Sequence, residues 1–362
     1  MFKQVTCRET LPCWITPVRY SYVVRPLQTH SRCGAHAATR NHASEQTNSH
    51  VSLLEEPRNP ASIQSPRIHR SPDRPIRPME VFDEVHFVRL RCRVRRTKYL
   101  AADDDGHGVC LSSQRGAHNT VWAVQAMEGA VEGAEGGPFV LLRGAYGRYL
   151  FATDVQAATG PGHGVQAAQQ ARPHPNTPRC MLWQAIRRQG SFVIRSAGGR
   201  YLRANGKYVR WRTAVTVAGD DASAMLQWDV EVVPLRLDRP TLLDPPPQPM
   251  RRRRRPPTEE EVARQVRYIR AGVDGDIDET GWRTVRISTN SLMQLRLTLA
   301  NLLGQNRSAL HTTLCVRAGA YADLSPLLID LPIGNDRLDI VVITHGTPVD
   351  NTLVYPNVNA RN

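Results

Sequence analysis

The chain has 362 residues, of which 41% are hydrophobic, enough for about two domains with cores of their own. A formal net charge of +14 points to an acidic polymer or surface as partner, although arginines also serve simply to solubilise. No apolar run is long enough to cross a bilayer, which excludes a helical membrane span. The seven cysteines (Cys7, Cys13, Cys33, Cys92, Cys110, Cys180 and Cys315) form no C-x-x-C pair and are odd in number. With no secretory apolar segment, they read as reduced thiols in a cytoplasmic or nuclear protein.

Residues 1–78 mix Ser, Pro, His and Arg without helical or strand period and read as a disordered or mis-annotated N-terminal extension. Glu9 is the only acidic residue among the first 44, a bias that leaves an organelle transit peptide as the lesser reading. From Met79 to Pro234 the texture becomes short alternating strands such as "HFVRLRCR", "PFVLLRG" and "SFVIRSA", separated by Gly and Asp clusters. Three landmarks repeat there. Tyr99-Leu100, Tyr149-Leu150 and Tyr201-Leu202 each follow a strand ending in Arg and a turn, the tyrosines being 50 and 52 residues apart. A tryptophan strand closes each copy, with Trp122, Trp183 and Trp228. Units of this size cannot bury a core alone, so three copies of four strands predict a mainly β chain with a closed β-trefoil over 79–234.

The repeated aromatics and leucines are expected in the trefoil core, each phenol near the rim where it finds a partner. Recognition then falls to outward side chains. Arg89, Arg91, Arg93, Arg95, Arg96 and Lys98 crowd one segment, and alternate strand positions share a face, so these six are the candidate partner-binding residues. Residues 235–263 form a Pro/Arg-rich linker in which Arg251, Arg252, Arg253, Arg254 and Arg255 stand between prolines, the second candidate site. Such a run suits a nuclear import signal, a phosphate contact or an electrostatic foot on an acidic filament, and equally a solvated linker.

Residues 264–355 read β-β-α-β-β, a small α+β domain of the ubiquitin-like β-grasp kind, with residues 356–362 as a tail. Ser291 and Gln294 fit a helix capping box, Leu292, Leu295, Leu299 and Leu302 repeat on one face, and Gly304 stops the helix. "TTLCVRA", "PLLIDLP" and "LDIVVITHG" follow as three apolar strands. Asp274, Asp276 and Asp278 have the spacing of a calcium loop, but Glu279 and Val285 occupy its glycine and bidentate-carboxylate positions, so a solvated turn is expected. His107 and Cys110 lack further ligands nearby, and neither metal nor cofactor is expected. No nucleophile elbow, P-loop or dinucleotide fingerprint occurs, so nothing supports an enzyme.

The run "MEVFDEVHFVRLRCRVRRTKYLAADDDGHGVCLSSQRGAHNTVWAVQ", with "AYGRYLFAT" and "GGRYLRANGKYVRWRTAVTV", resembles a plant family known as domain of unknown function 569. That family is classed with fascin-like, actin-cross-linking β-trefoils. The resemblance extends through "VRYIRAGVDGDIDETGWRTVRI" and "LCVRAGAY", covering nearly all of 79–355. It implies the trefoil fold and, by analogy of fold only, F-actin or another acidic protein as partner. A nuclear or nucleic-acid-associated adaptor using the arginine run is the alternative. A glycan-binding trefoil is the lesser reading, because Thr120, Met181 and Leu226 stand where ricin-type lectins carry the Gln of Q-x-W.

Overall fold

The computed structural model describes residues 79–127, 138–158, 164–172, 174–175, 177–205, 213–219, 223–240, 263–304 and 311–360. The N-terminal extension and the five linker arginines therefore lie outside the described residues. No described helix is long and apolar enough to cross a membrane.

Three four-strand units follow one another. The first contains β1 (Phe87–Cys92), β2 (Tyr99–Ala102), β3 (Val109–Ser112) and β4 (Trp122–Ala126). The second contains β5 (Val140–Arg143), β6 (Tyr149–Gln156), β7 (Val165–Gln170) and β8 (Trp183–Arg188). The third contains β9 (Ser191–Ser196), β10 (Tyr201–Ala204), β11 (Val215–Ala218) and β12 (Gln227–Val232). The outer strands of each unit pair in the cycle β1-β4-β5-β8-β9-β12 and back to β1, which closes a barrel without edges. The inner hairpins cap it: β7 pairs with β11, and single bridges join Gly108 to Ala168 and Cys110 to Ala214, so each hairpin touches both others. This is the β-trefoil.

Equivalent residues do equivalent work in the three units. Arg91 faces Tyr99, Arg143 faces Tyr149 and Arg195 faces Tyr201 across the first hairpin of each unit. Trp122, Trp183 and Trp228 are all 0% exposed, and each follows a single 3-10 turn. Burying an indole N–H requires an acceptor. Trp122 donates to the Leu100 carbonyl at 3.1 Å, Trp183 to Leu150 at 2.9 Å and Trp228 to Leu202 at 2.9 Å. The "YL" and Trp landmarks of one unit are thus tied to each other, the leucine side chain filling the core while its carbonyl holds the indole.

After the trefoil come β13 (Arg264–Arg270), β14 (Arg283–Ile287), the helix α1 (Leu292–Leu302), β15 (Thr312–Val316), β16 (Ser325–Pro326), β17 (Leu338–Thr344) and the short α2 (Pro348–Thr352). The sheet order is β14-β13-β17-β15-β16 with β13 and β17 parallel, the β-grasp arrangement with α1 as the crossover. Ser291 caps α1 by accepting from the Gln294 amide, and Gly304 lies beyond its end at φ +69°. Two expectations are corrected. Leu302 is 45% exposed, and Arg296 and Ala300 complete the buried face instead. The segment "PLLIDLP" is strand only at its first residue, Pro326, the end of β16, although Leu327 and Leu331 are buried in the core of this domain.

Trefoil and β-grasp belong to one compact unit. Arg172 N–H donates to Ala318 at 2.6 Å and Ile333 N–H donates to Asp104 at 2.6 Å. At Gly147, φ +72°, a Cβ would come within 2.7 Å of Val316 Cγ1, so this turn is glycine both for its left-handed backbone and for the approach of the second domain. Residues 356–358 also pack back on the trefoil. Pro356 bridges to Leu235, Asn357 N–H donates to Pro234 at 2.9 Å, and Val358 packs with Phe87, Val121 and Val233.

Candidate interaction surface

The arginine-rich segment divides into an inner and an outer part. Arg89, expected on the exposed basic face, is 1% exposed, because its strand lies under the returning C-terminus; its Nη2 donates to the Val358 carbonyl at 2.7 Å. Burial lowers the Arg89 pKa, with Arg115 adding to the effect. Arg91 stands opposite Asp229 in the β1-β12 ladder and Arg89 opposite Glu231. Arg91 pairs with Asp229 at 3.2 Å and Glu231 at 3.2 Å, Arg93 with Asp229 at 3.6 Å, and Arg115 with Glu231 at 3.3 Å. Two carboxylates on β12 therefore hold Arg91, Arg93 and Arg115.

The outer part is the turn that follows. Arg96 is exposed and Arg95 and Lys98 are half-buried, with no ion pair to them among the described residues. Arg93 Nη1 donates to the Gly190 carbonyl at 3.2 Å, which draws the β8-β9 hairpin, with Gln189 and Gly190 at positive φ, beside this turn. That hairpin carries the exposed Arg187 and Arg188, stacked at 5.3 Å over Phe192 and 5.9 Å over Tyr201. The cationic surface is thus two adjoining turns rather than one strand face.

The aromatics leave no stacking platform at the repeats. Besides the sealed tryptophans, Tyr149 is 0% exposed, Tyr99 6% and Tyr201 9%, and Leu100, Leu150 and Leu202 are each 0%. Tyr149 Oη donates to Gln125 Oε1 at 3.2 Å and accepts from the Asp323 amide at 3.3 Å. His107 and Arg148 converge on Asp336, whose pKa is lowered: burial raises it, and the attraction of His107 and the Arg148 hydrogen bond more than offset that. The acidic turn at 274–278 leads to Asp278, which accepts from the Thr280 amide and hydroxyl, and this lowers its pKa.

Between the trefoil and the β-grasp lies a cleft of ≈ 290 Å³, walled by Phe87, Val121 and Ala123 on one side and Leu324 and Leu353 on the other. Arg143 and His118 also line it. Burial, followed by Arg236 and Arg89, pushes the His118 imidazole down to about 4, so it is neutral in the fold at pH 7. Nothing in residue spacing announced Arg143, His118, Asp229 or Glu231 as site residues. Each matters through a partner distant in sequence.

Residues 79–230 match the family described as a β-trefoil domain of unknown function (DUF569), and residues 262–343 match the DUF569 associated ubiquitin-like domain. No curated protein matches the chain. Among solved structures, the designed threefold-symmetric protein ThreeFoil is 16% identical, with 40% of this chain and 97% of that chain covered and a TM-score of 0.32. The agglutinin of Rhizoctonia solani is 15% identical over 41% of this chain and 95% of its own, with a TM-score of 0.31. A GlcNAcα1-4Gal-releasing endo-β-galactosidase from Clostridium perfringens is 14% identical over 41% of this chain, TM-score 0.31, but only 33% of the enzyme's length is spanned. The two folded parts of the chain thus match, in order, the DUF569 β-trefoil domain and the ubiquitin-like domain associated with it.

Proposed function

We propose that the chain is a non-catalytic binding protein whose trefoil engages an acidic protein surface, with F-actin the partner that the fascin-like resemblance implies. The observation that carries this reading is the division of the arginine segment. Asp229 and Glu231 hold Arg91, Arg93 and Arg115, whereas Arg95, Arg96 and Lys98 carry no ion pair among the described residues and stand beside the exposed Arg187 and Arg188. Exposed cations of this kind speed encounter and are screened by salt. Cosedimentation of the full chain with actin filaments tests it. The chain pellets at low salt and less at physiological salt, and Arg95→Gln/Arg96→Gln/Lys98→Gln abolishes pelleting. A chain that stays in the supernatant at both salts removes actin as partner; pelleting unaffected by the triple substitution removes this surface.

A second reading is an adaptor touching nucleic acid through Arg251, Arg252, Arg253, Arg254 and Arg255, with the β-grasp domain making protein contacts. It is supported by the run itself and by the ubiquitin-like fold beside it. Salt-sensitive binding of a duplex, lost when the five arginines become glutamine, would favour it. The sealed tryptophans argue against sugar stacking at the repeat positions.

A further inference from the structure

The strand-end arginine occurs three times, and its cross-strand neighbour is each time the residue after the buried tryptophan. Arg91 meets Asp229, Arg195 meets Gln184 and Arg143 meets Ala123. In the first case a carboxylate answers the guanidinium at 3.2 Å. In the second an amide faces it. In the third a methyl group stands where a carboxylate would be, and that missing bulk is part of the cleft between the two domains.

Arg143 is left short of acceptors. Its side chain is 13% exposed, and Nε and Nη1 are buried without a hydrogen-bond partner. The Asp323 carboxylate, 3.6 Å from Nη1, is beyond hydrogen-bonding distance and is itself 53% exposed. His118 adds a third unsatisfied atom, since its Nδ1 is buried with no partner. The remaining walls are mainly apolar, Phe87 and Val121 from the trefoil and Leu324 and Leu353 from the β-grasp, with Ser325 and Thr352 as the polar exceptions. An apolar pocket with a few convergent polar groups is the usual form of a small-molecule site.

We propose that this cleft binds a small monocarboxylate with an apolar body, its carboxylate resting on Arg143 as Asp229 rests on Arg91. A planar guanidinium suits a carboxylate because two N–H groups meet two oxygens. The ≈ 290 Å³ of space, at roughly 30 Å³ for each water-sized group, admits about ten non-hydrogen atoms. The neutral imidazole of His118 donates or accepts beside the carboxylate without bringing a second full charge. Both domains wall the site, so ligand binding also strengthens their association.

Octanoate is a probe of this size, and 1-octanol is its uncharged counterpart. Isothermal titration calorimetry on the full chain shows octanoate binding more tightly than 1-octanol. Arg143→Gln weakens octanoate by about tenfold or more and leaves 1-octanol unchanged. Ala123→Asp, which supplies from the protein an anion like the one Asp229 gives to Arg91, weakens octanoate at least as much. This second variant keeps Arg143 in place, so the test stands even if Arg143→Gln does not fold. Absence of octanoate binding at millimolar concentration, equal binding of 1-octanol, or octanoate affinity unaltered by Ala123→Asp each overturns the proposal.

Discussion

Arg91 and Arg143 occupy the same station in consecutive repeats, each facing the tyrosine of its own hairpin, yet their surroundings are opposite in kind. Around Arg91, Asp229 and Glu231 complete a network with Arg93 and Arg115, and the result is an ion-paired, partly exposed wall. Around Arg143, Ala123 offers nothing, the second domain covers the position with the half-exposed Asp323 at 3.6 Å as the one carboxylate paired with it among the described residues, and a cleft remains. The barrel requires the strand, the tyrosine and the tryptophan at each station. It does not require the residue across from the arginine. Repeats keep what closes the fold and are free to differ where a partner or ligand is read.

The largest effects should be the symmetric ones. Replacing Trp122, Trp183 or Trp228 by Ala removes an indole that is 0% exposed, and each is expected to lose about 3–5 kcal/mol in urea unfolding. Similar losses at all three support equivalent layers; one near zero would break the threefold reading. Acid comes next. The His118 imidazole titrates at about 4 in the fold, against about 6.5 when unfolded, so the unfolded chain holds the extra proton between these values. Stability is therefore full above about pH 6.5 and falls as pH drops toward 4, by on the order of 2–3 kcal/mol from this residue. Denaturant midpoints against pH should flatten for His118→Gln, and further when His345, also pushed down to about 4 by burial, is replaced as well. Smaller still is Asp229→Asn. It takes an anion from Arg91 and Arg93 and is expected to cost about 1–2 kcal/mol, less in high salt.

The trefoil was legible because its signal is local and tripled. "TKYL", "GRYL" and "GRYL" with a following Trp strand fix the strand count, and core burial follows from alternation. The α1 cap was legible for the same reason, Ser291 and Gln294 being three residues apart. Leu302 was misjudged because helical spacing locates a stripe but not where the neighbouring sheet stops covering it. The candidate site was read less well. Alternation correctly puts Arg89 and Arg91 on one face, but what lies over that face depends on Val358 and on Glu231, 269 and 142 positions away in the chain. Asp229, Ala123 and Gln184 all stood in plain view after a tryptophan. Only the register of the barrel reveals that each faces an arginine.

The claim on which the rest depends is that Arg143 of the second repeat lacks, in its cross-strand neighbour, the anion that Arg91 of the first repeat receives from β12 of the third. The direct test is the melting temperature of the full chain carrying Ala123→Asp, beside that of Asp229→Ala. Moving the carboxylate to Arg143 is predicted to raise the melting temperature by about 2 °C, while removing it from Arg91 lowers it by about 2–4 °C. If Ala123→Asp instead lowers the melting temperature as much as Asp229→Ala does, Arg143 is already satisfied, and the difference between the two stations is not electrostatic.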